Sequence, residues 1–259
     1  MPEISPKAIV ENAAAMAADA RVGPFSYVGP DVRIGPGCII DNNVTLVGKT
    51  TLGSRTHVFP MAVVGAAPPT GDDAGECILG EANAVREHVT VYAGTDSPTR
   101  IGNDNLIMIG SQIGSGATIG DHGIFDNCCR IGARTIIEDY VRMSGFAAVA
   151  AGATVGAYSF VAGYAGVMSN APPYAMLQGL PARVRGVNTR NLKRCGFGED
   201  DIHALKEAFR ELFNGPDGEV NEEALSRIEA AGNPNPHVRK LIGAVRRATG
   251  VARGRAVDD

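Results

Sequence analysis

Apolar residues occupy every sixth position over most of this chain. The pattern begins at Val22, breaks twice, and ends at Val167. All 23 positions hold an apolar residue, and glycine follows it at eleven of them. The positions are Val22, Val28, Ile34, Ile40, Leu46, Leu52, Val58, Val64, Leu79, Val85, Val91, Ile101, Ile107, Ile113, Ile119, Phe125, Ile131, Ile137, Met143, Val149, Val155, Val161 and Val167. A fixed short period of this kind indicates a repeat architecture.

A period of six predicts a short strand followed by a tight turn. One branched aliphatic side chain points into a narrow core, and the adjacent glycine permits unusual backbone dihedrals or a close approach of backbone. Three such units close a triangular coil, so residues eighteen apart stack. The predicted fold class is an all-β left-handed parallel β-helix of hexapeptide repeats, followed by a small C-terminal α-helical domain. The phase also extends back through Met16, Val10 and Ile4.

The two breaks in the pattern are polar and rich in turn residues. They predict loops ejected from the coil near residues 66–78 and 93–100. Insertions in solenoids cluster on a working face, so these loops are expected to cover a cleft. The alternative is that they are only tolerated bulges, since surface loops accept insertions at small cost.

The repeat stops after Met168, and the composition changes. Asn170–Gly186 holds three prolines and is expected to form an extended strap that ends the β-helix. Helical spacing follows, and the predicted helices are Asp200–Phe213, Asn221–Ala231 and His237–Thr249. The predicted division is therefore residues 1–186 for the β-helix and 187–259 for the helical domain.

Composition and charge exclude several classes of function. The chain has 259 residues, 33 glycines and no tryptophan. Its net charge is −4 with both signs interspersed, so the charge pattern does not indicate nucleic-acid binding. No signal peptide and no run of eighteen apolar residues is present, which predicts a cytoplasmic protein without a membrane span. Five cysteines without a C-x-x-C pair predict reduced thiols, no metal site and no cofactor.

Three segments resemble a known family. IGNDNLIMIG (Ile101–Gly110), APPYAMLQG (Ala171–Gly179) and GVNTRNLKRCGF (Gly186–Phe197) are similar to segments of the UDP-N-acetylglucosamine 3-O-acyltransferases of lipid A biosynthesis. The last is the most specific, because nothing in a β-helix requires it. The resemblance implies a homotrimer with sites between neighbouring β-helices, an acyl carrier protein as acyl donor, and a nucleotide sugar as acceptor. Such a closed cyclic assembly also suits a flat-sided solenoid.

The resemblance also implies substrate-binding residues. Asn188 and Arg194 match positions that contact the UDP portion, and a guanidinium is well suited to phosphate. Gly163 matches a position that leaves room at the end of the acyl groove in family members that accept longer chains, although it could equally be an ordinary turn glycine. The chain departs from the family at Arg190, where an acid is expected, and at Cys195, where a second arginine is expected.

The largest departure concerns the general base. Acyl transfer to a hydroxyl needs a group that accepts its proton, and in the family this is a histidine at the position of Ser115. Three further cleft histidines are replaced by Gln112, Arg134 and Ala150. A serine without an activating partner does not serve as a base. The catalytic residue of this chain is therefore left unknown.

Two functions follow from this. The chain is either an acyltransferase that uses another base, or a non-catalytic binding or scaffold protein that partners an envelope-lipid enzyme. A metal-dependent hexapeptide enzyme is disfavoured, because His57, His88 and His122 do not share one stacking position, and His203 and His237 fall in the helical domain. Basic residues could steer an acidic carrier protein or could simply be a solvated helix face; they are Lys193, Arg194, Arg239, Lys240, Arg246 and Arg247.

Overall fold

The computed structural model describes residues 1–69, 75–215, 220–232 and 235–254. Its main body is a three-sided β-helix in which short parallel strands stack into three sheets, here called side A, side B and side C. The chain passes from side C to side A to side B in every coil. We call the rows of turns between them edge CA, edge AB and edge BC.

The strands are two to five residues long. Side A contains Glu3–Ile4, Arg21–Val22, Ile39–Ile40, His57–Val58, Ala84–Val85, Leu106–Ile107, Ile124–Phe125, Arg142–Met143, Phe160–Val161, Ala175–Gln178 and Arg183–Val187. Side B contains Ile9–Val10, Tyr27–Val28, Thr45–Leu46, Val63–Ala66, Thr90–Tyr92, Gln112–Ile113, Arg130–Ile131, Ala148–Val149 and Gly166–Val167. Side C contains Arg33–Ile34, Lys49–Leu52, Glu76–Leu79, Thr99–Ile101, Thr118–Ile119, Ile136–Ile137 and Thr154–Val155.

The apolar position of each hexad forms the core. All 23 predicted positions are buried, none with more than 3% of its surface exposed. Residues eighteen apart pair in register, as in Val22 with Ile40 and Ile113 with Ile131. Since full burial of one aliphatic side chain stabilises by roughly 1.5–3 kcal/mol, this column is the main source of stability. The predicted parallel β-helix is confirmed.

Close packing of backbone and left-handed dihedrals occur at different positions of the turn, whereas the sequence pattern assigned both to the glycine. A Cβ at Gly114 would lie 2.5 Å from the backbone nitrogen of Ala133, so glycine after the core residue is required by close packing of turns. Left-handed dihedrals occur two residues later in the turn, mostly at other residue types, with φ of 59° at His122 and 63° at Tyr158. Positive φ in such residues is strained, and the stacked turns above and below hold it in place.

The insertions increase the number of residues between stacked strands, but the sheets remain continuous. Strand Glu76–Leu79 pairs with Lys49–Leu52 across the first one and with Thr99–Ile101 across the second. Ala66 and Glu76–Ile78, inside the predicted first loop, are strand residues, while residues 70–74 of that loop lie outside the described residues. Thr99 and Arg100, assigned to the second loop, also lie in a strand.

The C-terminal part begins as a hairpin. Ala175–Gln178 pairs in antiparallel fashion with Arg183–Val187, where the sequence predicted an extended strap. In the described part of the chain four helices follow: α1 (Thr189–Arg194), α2 (Glu199–Leu212), α3 (Glu222–Ala231) and α4 (Pro236–Gly254). The sequence analysis missed α1. Among the described residues, no helix has the length and hydrophobicity needed to cross a membrane.

Candidate active site

Ser115 lies on edge BC, in the turn between the strands that end at Ile113 and begin at Thr118. It is half-buried, and its carbonyl oxygen accepts a hydrogen bond of 2.9 Å from the backbone nitrogen of Arg134. Within the described part of the chain, its hydroxyl has no hydrogen-bond partner. Ser115 therefore lacks the neighbouring base that would turn a hydroxyl into a nucleophile or a proton acceptor.

The surroundings of Ser115 are cationic. Arg130 donates a hydrogen bond to the side-chain oxygen of Gln112, its register partner on side B. Arg134 is exposed on edge BC, where a Cβ at Gly116 would lie 3.4 Å from its Cγ. Side B and edge BC accordingly carry one guanidinium group each in the coil stacked on that of Ser115.

Gly163 lies on edge AB and is exposed. A Cβ at this position would lie 3.3 Å from the carbonyl oxygen of Gly145, so the site accepts little added bulk against its own coil. The next residue, Tyr164, is 75% exposed and stacks on Phe146 at 5.1 Å between ring centroids. Edge AB thus presents an apolar, aromatic surface beside Gly163.

Asn188 is the N-cap of α1 and is buried. Its Oδ1 accepts a hydrogen bond of 3.4 Å from the backbone nitrogen of Asn191, and its Nδ2 donates to the carbonyl oxygen of Tyr158 at 2.8 Å. Asn191 donates from Nδ2 to the carbonyl oxygen of Tyr140 at 3.0 Å. These amides fix α1 to edge CA. They use one amide hydrogen and one oxygen lone pair of Asn188.

Arg194, at the end of α1, lines an open cleft of about 660 Å³ on edge CA. The cleft is bounded by Asp104, Leu106, His122, Ile124, Tyr140, Arg194, Cys195 and Gly196. Among the described residues, no carboxylate lies within ion-pair distance of Arg194. Burial raises the pKa of the Cys195 thiol, against the lowering effect of Arg194 and Arg142, so the thiol stays protonated at neutral pH.

A ladder of stacked rings runs along edge CA, and the sequence analysis did not identify it. His122 stacks on Tyr140 at 4.6 Å, Tyr140 on Tyr158 at 4.9 Å, and Tyr158 on Tyr174 at 5.8 Å between ring centroids. The signal was present in the sequence, because His122, Tyr140 and Tyr158 recur at a spacing of eighteen. The ladder mixes one histidine with tyrosines, so the spacing of the histidines alone does not reveal it.

One chain does not bring the predicted site residues together. Asn188 and Arg194 lie on α1 beside edge CA, Ser115 lies on edge BC, and Gly163 lies on edge AB. Only the first two lie close together, at the two ends of α1. A site built from all four requires the edges of different copies to meet.

A model of "Udp N-acetylglucosamine O-acyltransferase; Domain 2" matches residues 171–255, and a model of bacterial transferase hexapeptide repeats matches residues 16–48. The structure is similar to LpxA from Acinetobacter baumannii, with a TM-score of 0.88 and 28% identity over 95% of this chain and 97% of that chain. The chain is thus similar in sequence and fold to the UDP-N-acetylglucosamine O-acyltransferases.

Further O-acyltransferases of this family show the same relation. The enzyme from Moraxella catarrhalis has a TM-score of 0.87 and 28% identity over 95% of this chain and 97% of that chain. The Francisella novicida enzyme has a TM-score of 0.85 and 28% identity over 93% of this chain and 90% of that chain. The family resemblance and the left-handed parallel β-helix with a helical C-terminal part are confirmed.

The histidines of this chain are dispersed. His57 Nε2 lies 2.9 Å from Asp41 Oδ2 on side A, His203 is exposed on α2, and His88 lies on edge AB. His237 is half-buried, with Nδ1 3.4 Å from the hydroxyl of Tyr174. Over the described ranges, no group of three or more His, Cys, Asp or Glu residues is arranged to hold a metal ion.

Several of the basic residues considered for carrier-protein steering are paired within the chain. Lys193 Nζ lies 2.7 Å from Glu199 Oε1, Lys240 Nζ lies 3.5 Å from Glu138 Oε2, and Arg246 contacts two carboxylates on α3. The Lys193 ammonium holds the pKa of Glu199 below its ordinary value. Such pairing reduces the net positive charge that the helical domain offers to a partner.

Proposed function

We propose that this homologue transfers an acyl group from the thioester of an acyl carrier protein to a hydroxyl of a UDP-amino sugar. We further propose that it acts as a cytoplasmic homotrimer in lipid A biosynthesis, with its sites between neighbouring β-helices. The family relation supports an acyltransferase of this pathway. The reaction needs no cofactor, because the energy of the thioester drives it.

The free guanidinium of Arg194 is the observation that carries this proposal. It lines a cleft large enough for a nucleotide sugar and is fixed there by the two amide contacts of α1 with edge CA. A guanidinium without a carboxylate partner can form charge-assisted, bidentate hydrogen bonds to a diphosphate. The proposal assigns Arg194 to the diphosphate and Asn188 mainly to positioning α1, with its remaining amide hydrogen toward the nucleotide.

The positions of Ser115 and Gly163 support a site between subunits. In a cyclic trimer of three-sided prisms, one edge of each copy faces a different edge of the next, because the interface is heterologous. Edge BC with Ser115 and edge AB with Gly163 can then approach edge CA of other copies. In this arrangement the aromatic surface next to Gly163 lines the acyl groove.

Ser115 favours a second candidate function. Its hydroxyl lacks a partner in the described structure, and loss of a general base typically costs about 10²–10⁴-fold in rate. A non-catalytic binding or scaffold protein that partners an envelope-lipid enzyme would keep the cleft without turnover. The two functions differ in whether thiol is released.

Incubation with UDP-N-acetylglucosamine and an acyl carrier protein thioester tests the proposal. We expect thiol release that matches the formation of acylated nucleotide sugar. Ser115→His is the informative variant, since it restores an imidazole on edge BC, and Thr118→His is its matched control on an exposed strand position nearby. An inactive wild type with an active Ser115→His variant identifies the non-catalytic alternative. No turnover by any of the three contradicts the transferase.

A further inference from the structure

We infer that His122, oriented by Asp104, is the general base of this protein, so that the proton-accepting group has moved from edge BC to edge CA. The inference rests on the proposed function, because it assigns a residue to the same acyl transfer. It concerns a site in which the histidine of one edge shares a cleft with Arg194.

His122 has the geometry that a base requires. Its Nδ1 lies 3.9 Å from Oδ2 of Asp104, one coil away, and 43% of its side chain is exposed to the cleft and solvent. Because Nδ1 lies toward the carboxylate, Nε2 is the nitrogen left to accept a proton from a ligand. Asp104 then acts as a positioning residue, because its carboxylate faces Nδ1 and leaves Nε2 toward the ligand.

The ring ladder fixes the plane of the imidazole. Tyr140 stacks on His122 at 4.6 Å with 29° between the ring planes, and Tyr158 supports Tyr140 nearly in parallel. The backbone nitrogen of His122 donates to the carbonyl oxygen of Asn103 at 2.9 Å, which anchors the turn. Such support is what holds a catalytic group in its productive orientation.

Other groups near the cleft do not meet this requirement. Burial raises the pKa of Tyr158 and of Tyr174, so both phenols stay protonated, and the Cys195 thiol is likewise held neutral. The His57–Asp41 pair is closer, at 2.9 Å, yet it lies on side A next to Phe59 and outside the cleft of Arg194. Among the five histidines, His122 lines the cleft that holds Arg194.

The chemistry balances without further reactants. As the sugar oxygen attacks the thioester carbonyl carbon, Nε2 of His122 takes the hydroxyl proton. The C–O bond forms, the C–S bond breaks as the tetrahedral intermediate collapses, and the imidazolium returns the proton to the departing thiolate. With the diphosphate on Arg194, the sugar remains within the same cleft as His122.

His122→Ala in the full chain tests the inference, with His57→Ala as the matched control. We expect kcat with UDP-N-acetylglucosamine and an acyl carrier protein thioester to fall by about 10²–10⁴-fold in His122→Ala. The Kd for the nucleotide sugar should change by less than about threefold. Added imidazole should restore part of the lost turnover, and His57→Ala should keep wild-type kcat. His122→Gln replaces His122→Ala if thermal unfolding shows that the ladder is disturbed.

Asp104→Asn separates positioning from mere support of the fold. Because Asp104 acts only through His122, we expect a smaller loss of kcat than in His122→Ala and no further loss in the double variant. Turnover of His122→Ala within about tenfold of wild type overturns the inference. The inference is also overturned if imidazole restores no turnover and His122→Gln loses nucleotide binding, because misfolding then explains the loss. Such a result leaves the proposed transferase standing, whereas an inactive wild type contradicts both.

Discussion

Single residues in this β-helix have sharply different tasks although they are neighbours. In most of the two-residue strands one side chain enters the column of the core and the preceding one faces outward, as at Ile119 and Thr118 on side C. Ile119 is 2% exposed and pairs in register with Ile101 and Ile137, whereas Thr118 is exposed. Neighbouring side chains cannot fill a void in this core, because it is only one side chain wide on each side of the prism.

Ile119→Ala should therefore destabilise the fold severely, and Thr118→Ala is its matched control. We expect the free energy of unfolding to fall by about 2–5 kcal/mol for Ile119→Ala, as for other buried isoleucines. The control should change it by no more than about 0.5 kcal/mol. Urea unfolding followed by circular dichroism measures both. Equal effects of the two variants would show that the hexad column is not the core.

Some of these residue roles can be predicted from the sequence, and others cannot. The column of 23 apolar positions was predicted in full, because a fixed period and burial are two expressions of one geometry. The ladder of His122, Tyr140 and Tyr158 was not, since the left-handed turn position of each hexad accepts many residue types and has no composition of its own. The contacts of Asn188 were also beyond reach, because they depend on how α1 meets a distant coil.

At the scale of elements, α1 links the β-helix to the cleft. It is six residues long and was missed as a helix, because so short an element has little propensity signal. It persists because Asn188 caps it and Asn191 joins it to a carbonyl of edge CA. Leu192 of this helix is fully buried. The guanidinium of Arg194 is placed by this element and not by the repeat.

Asn188→Ala and Arg194→Ala should separate the anchoring of α1 from the binding of the nucleotide sugar. Asn188→Ala is expected to lower the free energy of unfolding by about 1 kcal/mol, from the lost cap, and to weaken binding of UDP-N-acetylglucosamine by freeing α1. Arg194→Ala should leave stability within about 0.5 kcal/mol and weaken the same binding by about 10- to 100-fold. Urea unfolding and titration calorimetry measure the two effects. A stability loss in Arg194→Ala, or wild-type affinity in it, would contradict this division of roles.

At the scale of the whole molecule, the separation of the predicted site residues is the main finding. Ser115, Gly163 and Arg194 lie on three different edges of one prism, and each edge repeats with the coil. The sequence analysis anticipated a site between copies through the family resemblance alone. The geometry supplies a physical reason for it, because residues on three different edges of one prism cannot contact one ligand unless edges of different copies meet.

Native mass spectrometry of the full chain with UDP-N-acetylglucosamine tests the intersubunit site most directly. We expect a complex of three chains of 26.9 kDa each that binds up to three nucleotide sugars, and a trimer with strongly reduced binding for Arg194→Ala. A monomer that binds the nucleotide sugar as well as the assembly does, or a trimer that binds none, would contradict a UDP-sugar site formed between copies of this β-helix.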